Sequence, residues 1–91
     1  MSQSPRPQCY GVHIDEAEID SARHLRAKLE EKGRGILLSS HECLGVIKEE
    51  FDEYAAAVHN NDREAQYKEL MDIVVAAEFA MISMKSNQMH W

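Results

Sequence analysis

The chain has 91 residues, and its 16 acidic against 10 basic residues give a formal net charge of −6. This balance disfavours a protein that binds nucleic acid through its backbone phosphates, because such binding needs a basic surface. The composition is that of a folded chain, with 44% apolar residues, 2 prolines and 4 glycines. A domain of this size buries only about 60 to 65% of its unfolded surface. A core shared between copies is therefore expected.

The ends of the chain and its cysteines favour a cytoplasmic protein. Residues 1–12 hold both prolines and predict a flexible N-terminal arm, followed by a single helical domain over residues 13–91. The arm has no apolar segment of the kind found in signal peptides. Cys9 and Cys43 lack the spacing of a disulfide scaffold or a zinc site, which favours two reduced thiols. The longest apolar run, residues 73–82, is too short to cross a bilayer, so no membrane partner is expected.

Two capping boxes mark the first two helices. Asp15 with Glu18 predicts the start of a first helix, which runs through Lys32 at helical spacing and ends at the glycines that follow. Ser39 with Glu42 predicts the start of a second helix. Apolar residues at spacings of three and four continue this second helix.

A polar segment at residues 59–62 separates the second helix from the third. Asn61 with Glu64 predicts the start of the third helix, which extends to about Met84. Its second half, residues 73–82, is apolar on nearly every side, which is typical of a helix surrounded by others. No segment predicts a β-strand.

The predicted fold is therefore all-α: a helical hairpin plus an N-terminal helix. Three helices from one chain do not readily surround a helix that is apolar all round. We expect oligomerisation to complete a four-helix-type bundle.

Four carboxylates are predicted to converge between the second and third helices. Glu50 and Glu53 are about 60° apart on one helix face, and Glu69 and Asp72 are related in the same way. Both pairs share their faces with apolar residues rather than with the solvated side. In an antiparallel hairpin centred on the polar segment, the two pairs differ in height by only about 1.5 Å.

Such a cluster needs compensation, because partly buried like charges oppose folding. This repulsion can be relieved by protonation of a carboxylate or by a bound cation. No lysine or arginine is placed on the same helix sectors, since Lys48 projects about 160° away from Glu50. An all-oxygen ligand set favours Mg²⁺, with Mn²⁺ as an alternative. The histidines lack metal-ligand spacing and are expected at the surface or at helix ends: His13, His24, His41, His59 and His90.

The two acidic motifs resemble those of the MazG-like family of all-α nucleoside triphosphate pyrophosphohydrolases. That family carries EExxE and ExxD on adjacent helices, matched here by residues 49–53 and 69–72. A Ser-His-Glu sequence at residues 40–42 precedes them, as in the family. The similarity covers roughly residues 39–84.

The resemblance implies Mg²⁺-dependent hydrolysis of a nucleoside triphosphate to monophosphate and pyrophosphate, in a homodimer or homotetramer. It implies that Glu49 orients or deprotonates the attacking water, or serves a second metal. It also implies basic contacts to phosphate, for which Lys85 and Asn87 are the candidates in this sequence. The metal ligands by position are the same four carboxylates: Glu50, Glu53, Glu69 and Asp72.

Two other functions are open at this point. One is a non-catalytic, metal-binding helical dimer that serves as an interaction or regulatory module. It is motivated by the small number of basic residues after the motifs. The other is a plain structural bundle that responds to no divalent cation.

Overall fold

The computed structural model describes residues 5–91, which contain three helices and no strand. The helices are α1 (Gly11–Lys32), α2 (Ser40–His59) and α3 (Arg63–Lys85). The predicted all-α class is confirmed. Within this described part, no helix combines the length and apolar character that crossing a bilayer requires.

The N-cap of α1 lies five residues before the predicted one. Tyr10 is the N-cap, and its carbonyl accepts the backbone N–H of His13 at 3.0 Å and of Ile14 at 3.2 Å. Asp15 therefore lies within the first turns instead of capping the helix. The last two residues of the expected arm, Gly11 and Val12, are helical, and residues 1–4 lie outside the described part.

The other helix ends are close to those predicted. The Ser39 hydroxyl accepts the Glu42 N–H at 3.1 Å, as the capping box requires. The third helix is capped by Asp62 rather than Asn61, because the Asp62 carboxylate accepts the Ala65 N–H at 3.0 Å.

Helix α3 lies between the other two helices. A short turn makes α2 antiparallel to α3, whereas α1 runs parallel to α3. Two side-chain pairs show this parallel orientation. The Tyr67 hydroxyl of α3 donates to Asp20 of α1 at 2.6 Å. Farther along both helices in the same direction, His24 of α1 contacts Asp72 of α3 at 2.5 Å. Within residues 5–91 the backbones of α1 and α2 make no close approach to each other. This leaves a groove between them, with α3 as its floor.

A buried serine ties the α1–α2 connection to the end of α3. Ser83 is fully buried, and its hydroxyl accepts the Leu37 N–H at 3.0 Å while donating to the Phe79 carbonyl at 2.8 Å. The residues after α3 return to the same connection, since the His90 N–H donates to the Leu38 carbonyl. These bonds hold the connecting segment beside the groove.

The buried core is small, as the chain length predicts. Its buried apolar residues are Cys43, Ala57, Val75, Ala76 and Met89. The radius of gyration is 15.9 Å, against about 12 Å for a compact globular domain of this length. Much of the apolar surface of the helices is consequently exposed.

Candidate metal centre

The structure brings the four predicted carboxylates together. Glu50 and Glu53 lie one turn apart on α2, and Glu69 and Asp72 lie one turn apart on α3. One oxygen from each carboxylate lies within 4.8 Å of the others. This distance is compatible with shared coordination of a cation, because Mg²⁺–oxygen distances are about 2.1 Å.

Burial differs among the four side chains. Asp72 is buried and only 8% exposed, Glu50 and Glu69 are half-buried, and Glu53 is exposed at the rim of the cluster. All four were expected to point inward, so the position of Glu53 is a departure. It follows from the missing contact between α1 and α2, which leaves this edge of the hairpin open to solvent.

Two carboxylate oxygens in the cluster are buried without a hydrogen-bond partner among the described residues: Glu50 Oε2 and Glu69 Oε2. The one other such side-chain oxygen in this part of the chain is Glu78 Oε1, farther along α3. A buried, unpaired carboxylate oxygen is costly unless a proton or cation satisfies it. The unpaired oxygens are therefore concentrated where a cation would be bound.

The cluster perturbs its own protonation. Burial, followed by the charges of Glu53 and Asp72, raises the pKa of Glu50 from 4.5 to about 7. Burial also raises the pKa of Glu69, with Glu53 adding to the effect and Lys68 opposing it. Without a cation, both shifts favour the protonated form of these two side chains.

Asp72 is held by two groups that the sequence analysis did not assign to the site. His24 Nε2 contacts Asp72 Oδ1 at 2.5 Å, and Lys68 Nζ donates to Asp72 Oδ2 at 3.0 Å. Lys68 Nζ also lies 3.6 Å from Glu69 Oε1. Burial alone would raise the pKa of Asp72, but the hydrogen bonds from His24 and Lys68 outweigh it and lower this pKa.

Two predictions were wrong here. The first was that no lysine shares the carboxylate sectors. Lys68 precedes Asp72 by four residues, a spacing that places both on one helix face and was a usable signal. The second was that His24 is an ordinary surface or capping histidine. It is half-buried on α1, and only the parallel packing of α1 against α3 brings it to Asp72.

The cluster opens into the groove between α1 and α2, which has a volume of about 520 Å³. This volume falls within the range of small-molecule sites, about 300 to 1,000 Å³. The groove has an acidic wall on α2, basic residues on α1, and an apolar floor and end. The apolar part is lined by Leu25, Leu29, Leu37, Val46, Val75, Ala76 and Phe79.

The remaining predicted site residues are divided between groove and periphery. Glu49 lines the groove next to Glu50. Lys85 and Asn87 do not line it. Lys85 lies thirteen residues beyond Asp72 on α3, a rise of about 20 Å. The basic residues that do line the groove are Lys28, Lys32 and Lys68.

Comparisons of the chain with protein-family models, with curated proteins and with solved structures give no match. The class that the fold and site define is therefore an all-α protein with a four-carboxylate cluster at the edge of a groove. The resemblance to the MazG-like family rests on the acidic motifs at residues 49–53 and 69–72.

Proposed function

We propose that this protein is a Mg²⁺-dependent nucleoside triphosphate pyrophosphohydrolase of the MazG-like type. The observation that carries the proposal is the convergence of Glu50, Glu53, Glu69 and Asp72 within 4.8 Å, with two buried oxygens unpaired among the described residues. An all-oxygen set of this kind fits Mg²⁺ or Mn²⁺.

The hydrogen bonds at Asp72 are compatible with metal ligation. Carboxylates that bind metals are commonly held by second groups, which fix their orientation. His24 and Lys68 hold one oxygen each of Asp72, and each carboxylate oxygen has a further lone pair. When bound, the metal neutralises phosphate charge and polarises the reacting phosphoryl group.

In the proposed reaction, Glu49 accepts a proton from water as the water oxygen attacks the α-phosphorus. The bond from that phosphorus to the bridging oxygen breaks, and pyrophosphate leaves with the bonding electrons. Glu49 lines the groove beside the cluster, which supports its proposed role as the base. The protein contributes positioning and charge stabilisation, which dominate phosphoryl-transfer catalysis.

The apolar part of the groove supports a nucleotide as substrate. Phe79 and Val75 lie on α3 beyond the cluster, and Leu37 and Val46 also line the groove. A flat nucleobase buries apolar surface well against such side chains. The triphosphate would then extend toward the carboxylates.

Pyrophosphate release from a panel of canonical and modified triphosphates tests the proposal. We expect turnover with Mg²⁺ and its loss in Glu50→Gln. Asp52→Asn is the matched control, because Asp52 is exposed on α2 and pairs with Lys48 at 2.9 Å. Absence of turnover with every triphosphate and both metals would reject the enzymatic function.

The contacts at Asp72 also favour a second candidate, the non-catalytic metal-binding helical module. Lys68 and His24 already supply positive or hydrogen-bonding partners to this carboxylate, so a metal here can have a purely structural role. In that case Mg²⁺ raises the melting temperature while triphosphates add nothing further. Calorimetric triphosphate binding that Glu50→Gln removes would reject this candidate.

We further propose that the working form is a homodimer or homotetramer. Leu44, Phe51 and Val58 repeat every seven residues along α2 and are 64%, 58% and 44% exposed. This exposed apolar stripe at heptad spacing fits helix packing between copies. Light scattering should give two or four times the chain mass, and Phe51→Glu should lower it. A monomer at micromolar concentration would contradict the proposal.

A further inference from the structure

The α1 wall of the groove carries a pair of lysines with no role in the carboxylate cluster. Lys28 and Lys32 are one turn apart and both line the groove. Lys28 is half-buried, with its Nζ 3.6 Å from Glu31 Oε2 on its own helix. Within residues 5–91, neither lysine comes within the 4.0 Å ion-pair distance of a cluster carboxylate. Both also precede the segment that resembles the MazG-like family.

Opposite charges therefore face the same groove from different helices. Glu49, Glu50 and Glu53 come from α2, and the two lysines come from α1. The α3 floor separates them, so the lysines do not neutralise the acids directly. A ligand that uses both walls of this groove must present positive charge to the carboxylates of α2 and negative charge to the lysines of α1.

A metal-bound polyphosphate has this distribution of charge. Some of its oxygens coordinate the divalent cation, and the others carry negative charge that requires positive partners. The acidic wall alone repels such a ligand, and a bound divalent cation reverses the local sign. The ammonium groups of the opposite wall then provide charge-assisted hydrogen bonds to the oxygens that the metal leaves free.

We propose that Lys28 and Lys32 form a subsite for the phosphate chain of a metal-bound polyphosphate. The inference rests on the metal site of the proposed function. It replaces Lys85 and Asn87, which lie away from the groove, with residues that line it. The chemical class of the ligand is a linear polyphosphate, either inorganic or attached to a nucleoside.

Calorimetric titration with inorganic tripolyphosphate in the presence of Mg²⁺ tests the subsite without requiring turnover. The test protein is the double variant Lys28→Gln with Lys32→Gln. The matched control is Lys48→Gln with Arg63→Gln, which removes the same two charges from exposed positions outside the groove. Both changes take the formal charge from −6 to −8.

We expect the groove variant to bind tripolyphosphate about tenfold more weakly or worse, and the control to remain within about twofold of the natural protein. Circular dichroism verifies that both variants fold. If the double variant loses helicity, Lys32→Gln alone provides the comparison, because this residue is exposed. Restoration of binding by arginine at both positions would show that the positive charge is the relevant property.

Equal weakening in both variants would overturn the inference, because net charge would then explain the effect. Unchanged binding in the groove variant, or no tripolyphosphate binding by a protein that binds Mg²⁺, would overturn it as well. The proposed function fails separately. If lysine-dependent binding is found but no triphosphate is hydrolysed, the subsite stands and the enzymatic activity is rejected.

Discussion

Replacement of Glu50 by glutamine is expected to stabilise the metal-free protein at pH 8. Burial and the neighbouring carboxylates raise the pKa of Glu50 from 4.5 to about 7. Between these values the folded state binds more protons than the unfolded state, so stability falls as the pH rises. Glutamine resembles the protonated side chain and does not incur this loss.

The size of the effect follows from the displacement of the pKa. At 1.36 kcal/mol per pKa unit, a change from 4.5 to about 7 corresponds to about 3 kcal/mol. Glu50 is only half-buried, so solvent screening reduces the expected gain to about 1–2 kcal/mol. This gain should develop between about pH 4.5 and pH 7, the interval between the two pKa values, so it should be small at pH 5 and nearly complete at pH 8.

Urea unfolding followed by circular dichroism, in the presence of a chelator, measures the effect at both pH values. Asp52→Asn removes a charge from the exposed side of the same helix and should change stability by less than about 0.5 kcal/mol at either pH. With Mg²⁺ added at pH 8, the natural protein should become more stable to unfolding than Glu50→Gln, because it gains metal-binding energy that the variant lacks. A Glu50→Gln protein that is less stable than the natural one at pH 8 without metal would refute the reasoning.

Three further predictions concern the partners of the cluster and the end of α3. Mg²⁺ at about one hundred times its Kd should stabilise the natural protein by about 2.7 kcal/mol, and Glu69→Gln should remove most of this increment in a thermal melt. His24→Ala should lower the free energy of unfolding by about 1–3 kcal/mol in urea, because it removes a partner of buried Asp72. Ser83→Ala should cost about 1–2 kcal/mol in the same assay, because the Leu37 N–H loses its acceptor; no loss would show that water satisfies this group.

The helices and the meeting of the four carboxylates could be predicted because they depend on local rules. Capping chemistry at Ser39 fixed the start of α2. The short turn before α3 made α2 and α3 antiparallel neighbours, so residue counting from that turn placed Glu50 opposite Asp72. The geometry of a hairpin leaves little freedom once the turn is known.

The position of α1 could not be predicted in the same way. Seven residues separate Lys32 from Ser40, and a connection of this length does not determine which face of the hairpin α1 covers. His24 and Lys28 therefore had no assigned neighbours in the sequence. Lys68 is a different case, since its four-residue spacing from Asp72 was visible and only its ion pair was overlooked.

The formal charge of −6 argues against an extended nucleic acid backbone but not against a phosphate-bearing small molecule. Charges separated by more than about 8 Å are largely screened at physiological ionic strength. The electrostatic potential in the groove is therefore set mainly by the residues that line it. The groove is lined by four carboxylates and three lysines: Glu49, Glu50, Glu53 and Asp72, with Lys28, Lys32 and Lys68. Four negative and three positive groups give this set a formal charge of −1, so a single divalent cation already makes it positive. The acids that would bind metal are only four of the sixteen that set the net charge of the chain, and the charges that line the groove, rather than that total, determine which ligand the groove accepts.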